Sequence, residues 1–354
     1  MKPILYIILV CSIFCCNSLS AQHFTLRAAG GYGWNVFMKS SDIMGPKVDP
    51  YTPEKDALVV MANITHPHKG DSAYKYQPIR DSYARGMNFS FAFGYNINPY
   101  IGVEMGLTYV KSANISCTQI YPLVYQPYYG APFAYTNHAF TAKISTSAST
   151  LSLMPSVIVQ AAKPGWIVYP YARLGLNLPV FGMLNHEVNI HIDDSAFIEA
   201  PTLANLLNKS PYFLGNNTTV KLKTEGTVSL GVTGAIGIAY KPKPFINVFA
   251  EINGQYLAVR AKQTHVTEWK ADGVDKIEER GKYRTEFVYH DNLTENSNNG
   301  SVRPPNDNPE TPNYDPNKPK DDIRPIGPFS NLGLNVGVTF FLSKETVGKK
   351  KKKE

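Results

Sequence analysis

The chain is poor in cysteine: four in 354 residues, three of them within the first sixteen. Past Cys16 only Cys117 remains, so that part of the chain can form no internal disulfide. Long apolar runs are scarce as well. Beyond the first segment nothing approaches the roughly 18 apolar residues of a spanning helix. A chain of this kind enters a bilayer only as strands, because helices and closed sheets alone satisfy every backbone polar group in lipid. Surplus charge is also missing from the body. The formal charge is +7. Lys2 carries one of those charges, and the tail from Lys344 to Glu354, with six Lys and two Glu, carries four. The remaining +2 is no footprint for nucleic acid.

What is present begins with a leader. Lys2 precedes the apolar run ILYIILVCSIF, and Ser18-Leu19-Ser20-Ala21 supplies small residues. This layout predicts a secretory signal over 1–21, cut after Ala21, and export through the Sec pathway. The terminal KKKKKE reads as a solvated tail, residues 343–354.

Between these ends a period-2 alternation returns eight times, the mark of strands with one apolar face. The clearest case is GMNFSFAFGYNINPYIGVEMGLTYV at 86–110, a hairpin in which Phe89, Phe91, Phe93 and Tyr95 alternate with Ser90, Ala92 and Gly94. The others begin near residues 24, 149, 166, 220, 245 and 331. Pro155 within the fourth strand predicts a local break or bulge, because Pro cannot donate to a ladder. Strands two to three, four to five and six to seven are joined by INP, KPG and KPKP. The remaining connections, about 38–85, 113–147, 180–219 and 263–330, are far longer than those of compact soluble domains. PTLANLLNK at 201–209 suggests a short helix, and the Pro-, Asn- and Asp-rich stretch near 296–322 has the composition of disorder.

The polar face of these strands holds Gly, Ser, Asn and Thr and few charges, whereas a solvated strand face carries more Lys and Glu. Tyr95, Tyr100, Tyr109, Trp166 and Tyr240 fall near strand ends, where interfacial aromatics sit. The expectation is therefore an all-β fold: an eight-stranded antiparallel transmembrane β-barrel over 22–342, with four long extracellular loops and three short periplasmic turns. With the leader, the alternation and the closing strand Gly333–Phe341, the chain resembles the eight-stranded outer-membrane barrels of Gram-negative bacteria, of OmpA and OmpX type, without a peptidoglycan-binding domain. The resemblance implies residence in the cell outer membrane among its lipids, and delivery by the barrel-assembly machinery. It specifies no activity.

Four charges share the inward parity: Arg27, Glu104, Arg173 and Glu251. Two against two, they predict a buried ion-pair network filling a narrow lumen, with gating of a small conductance as the alternative. The eight His offer no His-x-Ser arrangement. In HEVNIH, His186 and His191 are five apart, hence on opposite faces of a strand and unable to share a metal. No cofactor, metal or catalytic residue is expected. Tyr121, Tyr125, Tyr128, Tyr129, Phe133 and Tyr135 form a candidate surface contact patch. Asp-Ser-Ala occurs at 71–73 and 194–196, which makes Ser72 and Ser195 candidate O-glycosylation sites by resemblance to a bacterial acceptor motif. The expected role is non-enzymatic: surface structure, adhesion or partner binding, with a secretion-machine component or a small-solute channel as alternatives.

Overall fold

The computed structural model describes residues 24–35, 44–46, 58–65, 75–125, 134–162, 166–192, 216–294, 296–299 and 315–342. Its strands are, in order, β1 (Phe24–Trp34), β2 (Met44–Pro46), β3 (Leu58–Val60), β4 (Ala62–Thr65), β5 (Lys75–Pro78), β6 (Gly86–Asn96), β7 (Ile101–Ser112), β8 (Ile115–Tyr125), β9 (Ala134–Gln160) and β10 (Val168–Ile192). There follow β11 (Asn217–Gly226), β12 (Gly231–Lys243), β13 (Ile246–Tyr256), β14 (Ala258–Ala271), β15 (Val274–Asp275), β16 (Glu286–His290), β17 (Lys320–Ile323), β18 (Ile326–Pro328) and β19 (Asn331–Leu342).

The fold is all-β, but it is not the expected eight-stranded barrel with loops. Seventeen strands form one sheet, and β2 with β3 forms a second. The large sheet is mixed, since β4–β8 and β16–β17 pair in parallel. One expected loop, 113–147, is largely strand, and the other three contain strand segments. β9 runs 27 residues and β10 runs 25, far past the segments marked by strong alternation. Two expected strands are broken instead: 220–240 into β11 and β12 around residues 227–230, and 245–259 into β13 and β14 at Leu257. Within the stretch expected to be disordered, β17 pairs with β16. Residues 1–21, 201–209 and 343–354 lie outside the described residues.

The sheet has two zones with opposite polarity. In the lower zone, which we call the wall, β1 pairs with both β6 and β19. The ladder continues from β6 through β7, β9, β10, β12 and β13 to β19. Among the described residues each strand on this path pairs on both sides over most of its length, which limits the pairing hazard of an unprotected sheet. Outward positions are large and apolar: Phe89 is 58% exposed, Leu174 71%, Ile236 72% and Val336 65%. Inward positions are small or polar and buried, among them Asn88, Thr108, Ser152, Asn177 and Asn335. The bottom of the wall ends in tight turns. At Ile97–Tyr100 the Asn98 Oδ1 accepts from the backbone N–H of Tyr100 and Ile101, each at 2.8 Å, so the side chain closes the turn.

Above the wall the strands β8, β9, β10, β11 and β14 continue as an upper layer, flanked by β4 and β5 on one side and β16 and β17 on the other. Here the pattern inverts. Ile115, Ile144, Val188, Leu222, Val266 and Trp269 pack inward as one apolar cluster. Lys143, Glu187 and Lys223 face out. A bulge re-phases β10 between the zones: Pro179 pairs with Ser152 and Phe181 with Leu151, leaving Val180 as the extra residue. Below it the odd residues Tyr171 and Asn177 point inward, and above it the even residues His186, Val188 and Ile192 do. Pro155 causes no register shift. Opposite it the β9–β10 ladder skips Leu176 and Asn177 and resumes in the same register at Leu178.

Candidate functional site: a buried charge cluster in the wall

Arg27 on β1, Glu104 on β7, Arg173 on β10 and Glu251 on β13 come from four different strands, and the wall brings them together at its centre. The Arg27 Nη2 donates to Glu251 Oε2. Arg173 Nη2 donates to the other oxygen, Oε1, at 2.7 Å. Glu251 thus receives two guanidinium groups at once and is 2% exposed. Tyr171 sharpens the arrangement. Its hydroxyl donates to Glu251 Oε2 at 2.8 Å and accepts from Arg27 Nη2 at 2.8 Å. Asn335 Nδ2 donates to Glu251 Oε1 at 3.3 Å.

Glu104 is held less tightly. Its Oε1 lies 3.8 Å from Arg27 Nη1, and its buried Oε2 has no hydrogen-bond partner among the described residues. The Arg27 guanidinium carbon also lies over Phe249, 3.8 Å from the ring centroid, a buried cation–π contact. The four charges sum to zero, which is the condition for burying them together without a net desolvated charge.

Polar space flanks the cluster on both sides. Towards the short turns a small cavity is lined by Asn96, Gln160, Asn247, Tyr169 and Thr339. Towards the upper layer a second is lined by Asn88, Thr108, Asn253, Gln255 and Asn331. The cluster fills the section between them. Backbone approach reinforces the constriction at Gly337, where a Cβ would stand 2.3 Å from the Ala28 carbonyl oxygen and 2.5 Å from Phe249 Cζ. Any side chain there would displace the ring that supports Arg27.

The other sequence-derived residues fall elsewhere. Tyr121 and Tyr125 lie on β8 and Tyr135 on β9, with Tyr125 opposite Ala134 and Val124 opposite Tyr135. That stretch is a strand pair rather than a surface loop. Tyr128, Tyr129 and Phe133, like Ser72 and Ser195, lie outside the described residues. His186 is buried and His191 is exposed, so the two are on opposite faces. Among the described residues no group of His, Cys, Asp and Glu could hold a metal ion.

A second buried network occupies the upper layer, and no sequence pattern announced it. His186 Nδ1 meets Thr146 Oγ1 at 2.9 Å, and Thr224 Oγ1 sits 3.4 Å from Nε2. Thr224 continues to Thr264 at 2.7 Å, and Thr264 to the Tyr289 hydroxyl at 2.8 Å. The chain links β9, β10, β11, β14 and β16 through apolar surroundings. Burial holds His186 neutral, with its pKa pushed down to about 3. The unfolded chain takes up that proton near pH 6.5, so unfolding is increasingly favoured as pH falls below it. The upper layer is expected to lose about 1.4 kcal/mol per pH unit between pH 6.5 and 3. His186→Gln should flatten that slope; an unchanged slope in urea titrations at pH 4, 5 and 6 would assign it to other groups.

No protein-family model matches the chain, and no curated protein matches it either.

Proposed function

We propose that the chain is an integral outer-membrane protein of Gram-negative type, with the wall in the bilayer and the upper layer outside the cell. Its role is non-enzymatic: the upper layer serves surface structure, adhesion or partner binding, and the wall anchors it. One observation carries the proposal, the inversion of polarity between the zones. Left in water, each exposed Leu, Ile or Phe of the wall would forgo roughly 1.5–3 kcal/mol of burial. The same chain buries such residues in its upper layer, so the sequence distinguishes the two environments strand by strand.

Two rows of aromatics support this reading. Tyr100, Trp166, Tyr240 and Phe245 stand exposed near the short turns, and Trp34, Tyr109, Phe181 and Tyr256 near the other margin. Between Ile101 and Tyr109 on β7 the outward face is unbroken by charge. At roughly 3.3 Å per residue and a tilt near 40°, that length gives an apolar band roughly 20 Å tall, close to the span of a bilayer's apolar layer. The resemblance to OmpA- and OmpX-type proteins enters this proposal through the export signal and the closing strand, Gly333–Phe341. The membrane supplies lipid as the principal partner.

The test is accessibility in intact cells. A membrane-impermeant maleimide is expected to label Lys223→Cys in the upper layer. Lys243→Cys beside a short turn should stay unlabelled until the outer membrane is permeabilised. Recovery of the mature chain in the soluble fraction, without detergent, would overturn the reading.

A further inference from the structure

The wall is interrupted at one place. Pairing of β10 with β12 ends at Asn177–Gly231, and pairing of β10 with β11 begins only at Met183–Glu225. Over residues 178–182 the β10 backbone therefore has no ladder partner on that side. The β10 bulge falls within the same stretch. Facing it, residues 227–230 leave the sheet. The outer margins of the gap are apolar and open: Val180 and Phe181 are each 51% exposed, Leu230 67% and Val228 77%.

Behind the gap lies a small apolar slot lined by Met183, Leu184, Val259, Ala261, Phe329 and Tyr83. Two glycines stand at the mouth. A Cβ on Gly226 would lie 2.7 Å from Val259 Cγ1 and 3.9 Å from the Gly182 carbonyl oxygen, so the glycine lets Val259 and the β10 backbone approach closely. A Cβ on Gly182 would meet only Thr150 Cγ2, at 3.7 Å, which leaves the slot unfilled from that side. The gap shares its level with the upper aromatic row, because Leu151 pairs with both Tyr109 and Phe181.

We infer that this gap is a lateral portal through which one hydrocarbon chain of a membrane lipid enters the slot beneath Tyr83 and Phe329. The inference rests on the membrane placement proposed above. An acyl chain fits for two reasons. The slot is apolar and stays dry unless an apolar group fills it. Its mouth is continuous with the outward apolar band at Leu176, Phe181 and Val232, so a chain reaches it without crossing water. Unpaired backbone at the edge of a bilayer is tolerated only where it lines a cavity or meets water, which suits a portal at this height.

The experiment uses the full mature chain in phospholipid vesicles doped with a phosphatidylcholine that carries a diazirine on one acyl chain. After illumination, labelled peptides are mapped by mass spectrometry. Val259 and Phe329 face inward and are buried, so they acquire label only if a chain enters. Ile236 and Val336 on the outward band report insertion in the same sample. Label at Val259 or Phe329, lost in Gly182→Val while band labelling persists, is the expected result. Label on the band alone in the unaltered chain would overturn the portal and leave the membrane placement standing. Persistence of the inner label in Gly182→Val would overturn entry at this gap. An unlabelled band would sink the membrane placement, and the portal with it.

Discussion

Glu251→Leu is expected to destabilise the folded chain by roughly 3–5 kcal/mol, measured as the shift in urea unfolding from lipid vesicles. The reason is asymmetric. Glu251 is the shared acceptor for Arg27 and Arg173, and it also takes hydrogen bonds from Tyr171 and Asn335. Its removal leaves two buried guanidinium groups with only Glu104 opposite, 3.8 Å from Arg27. Glu104→Leu removes one long contact and an oxygen that has no partner, so its cost should be clearly smaller. Replacing all four charges together, with Arg27→Met and Arg173→Met added to the two Leu substitutions, should recover much of the loss, because apolar residues of like volume often substitute for a buried ionic group at little net cost. Equal effects of Glu251→Leu and Glu104→Leu would show that the hydrogen-bond geometry does not set the ranking.

The wall was legible because its two faces differ sharply. In β7, Ile101, Val103, Met105 and Leu107 alternate with Gly102, Glu104 and Gly106, and a shift of one residue would exchange every side chain between faces. The same parity argument placed Arg27, Glu104, Arg173 and Glu251 on one side. Distance along the chain gave no hint that all four meet at one level; that depends on the register of β1 against β6 and of β13 against β19. Tyr171 and Asn335 escaped notice although the signal existed. Tyr171 lies two residues before Arg173 on the same inward parity, and Asn335 is the direct register partner of Glu251.

The upper layer was not legible, for a different reason. Along β9 the inward series Ala142, Ile144, Thr146 and Ala148 alternates with Lys143, Ser145 and Ser147, a contrast too shallow to stand out from loop composition. In β10 the bulge at Val180 switches the inward parity, so a single period-2 template loses phase part-way along the strand. Hydrophobic contrast is strong in the wall, where the outward residues are large and apolar and the inward ones small or polar. It is weak where Ser and Thr serve both faces and tertiary pairing decides the conformation. The strand count failed there, since seventeen strands share a sheet for which the strong alternation supports far fewer.

Tyr83→Ala should open the upper layer while leaving the wall intact. Tyr83 has no exposed surface, packs at a tilt against Phe329 with centroids 5.4 Å apart, and donates its hydroxyl to the Met44 carbonyl. Burial also pushes its pKa far above the ordinary phenol value, which keeps that hydroxyl a donor. The backbone around it ties the two zones: Tyr83 N–H donates to the Pro328 carbonyl at 2.9 Å, and Asn331 Nδ2 donates to the Ala84 carbonyl at 2.7 Å. Truncating the ring leaves a cavity in the apolar cluster and should cost about 3–5 kcal/mol. Tyr83→Phe, which keeps the ring contact and loses one hydrogen bond, should cost about 1 kcal/mol. Cys117 supplies the readout. It is buried in the same cluster, and burial raises its pKa to about 11, so in the folded state its thiol is shielded and protonated. In Tyr83→Ala, Cys117 is expected to react with a maleimide at urea concentrations that leave the gel mobility of the folded wall unchanged. The wall's own ladder accounts for that difference, because below the β10 bulge its strands pair on both sides without β8, β11 or β14. If Cys117 reactivity and wall unfolding instead coincide in Tyr83→Ala, the two zones form a single cooperative unit and the segment around Tyr83 is not the joint between them.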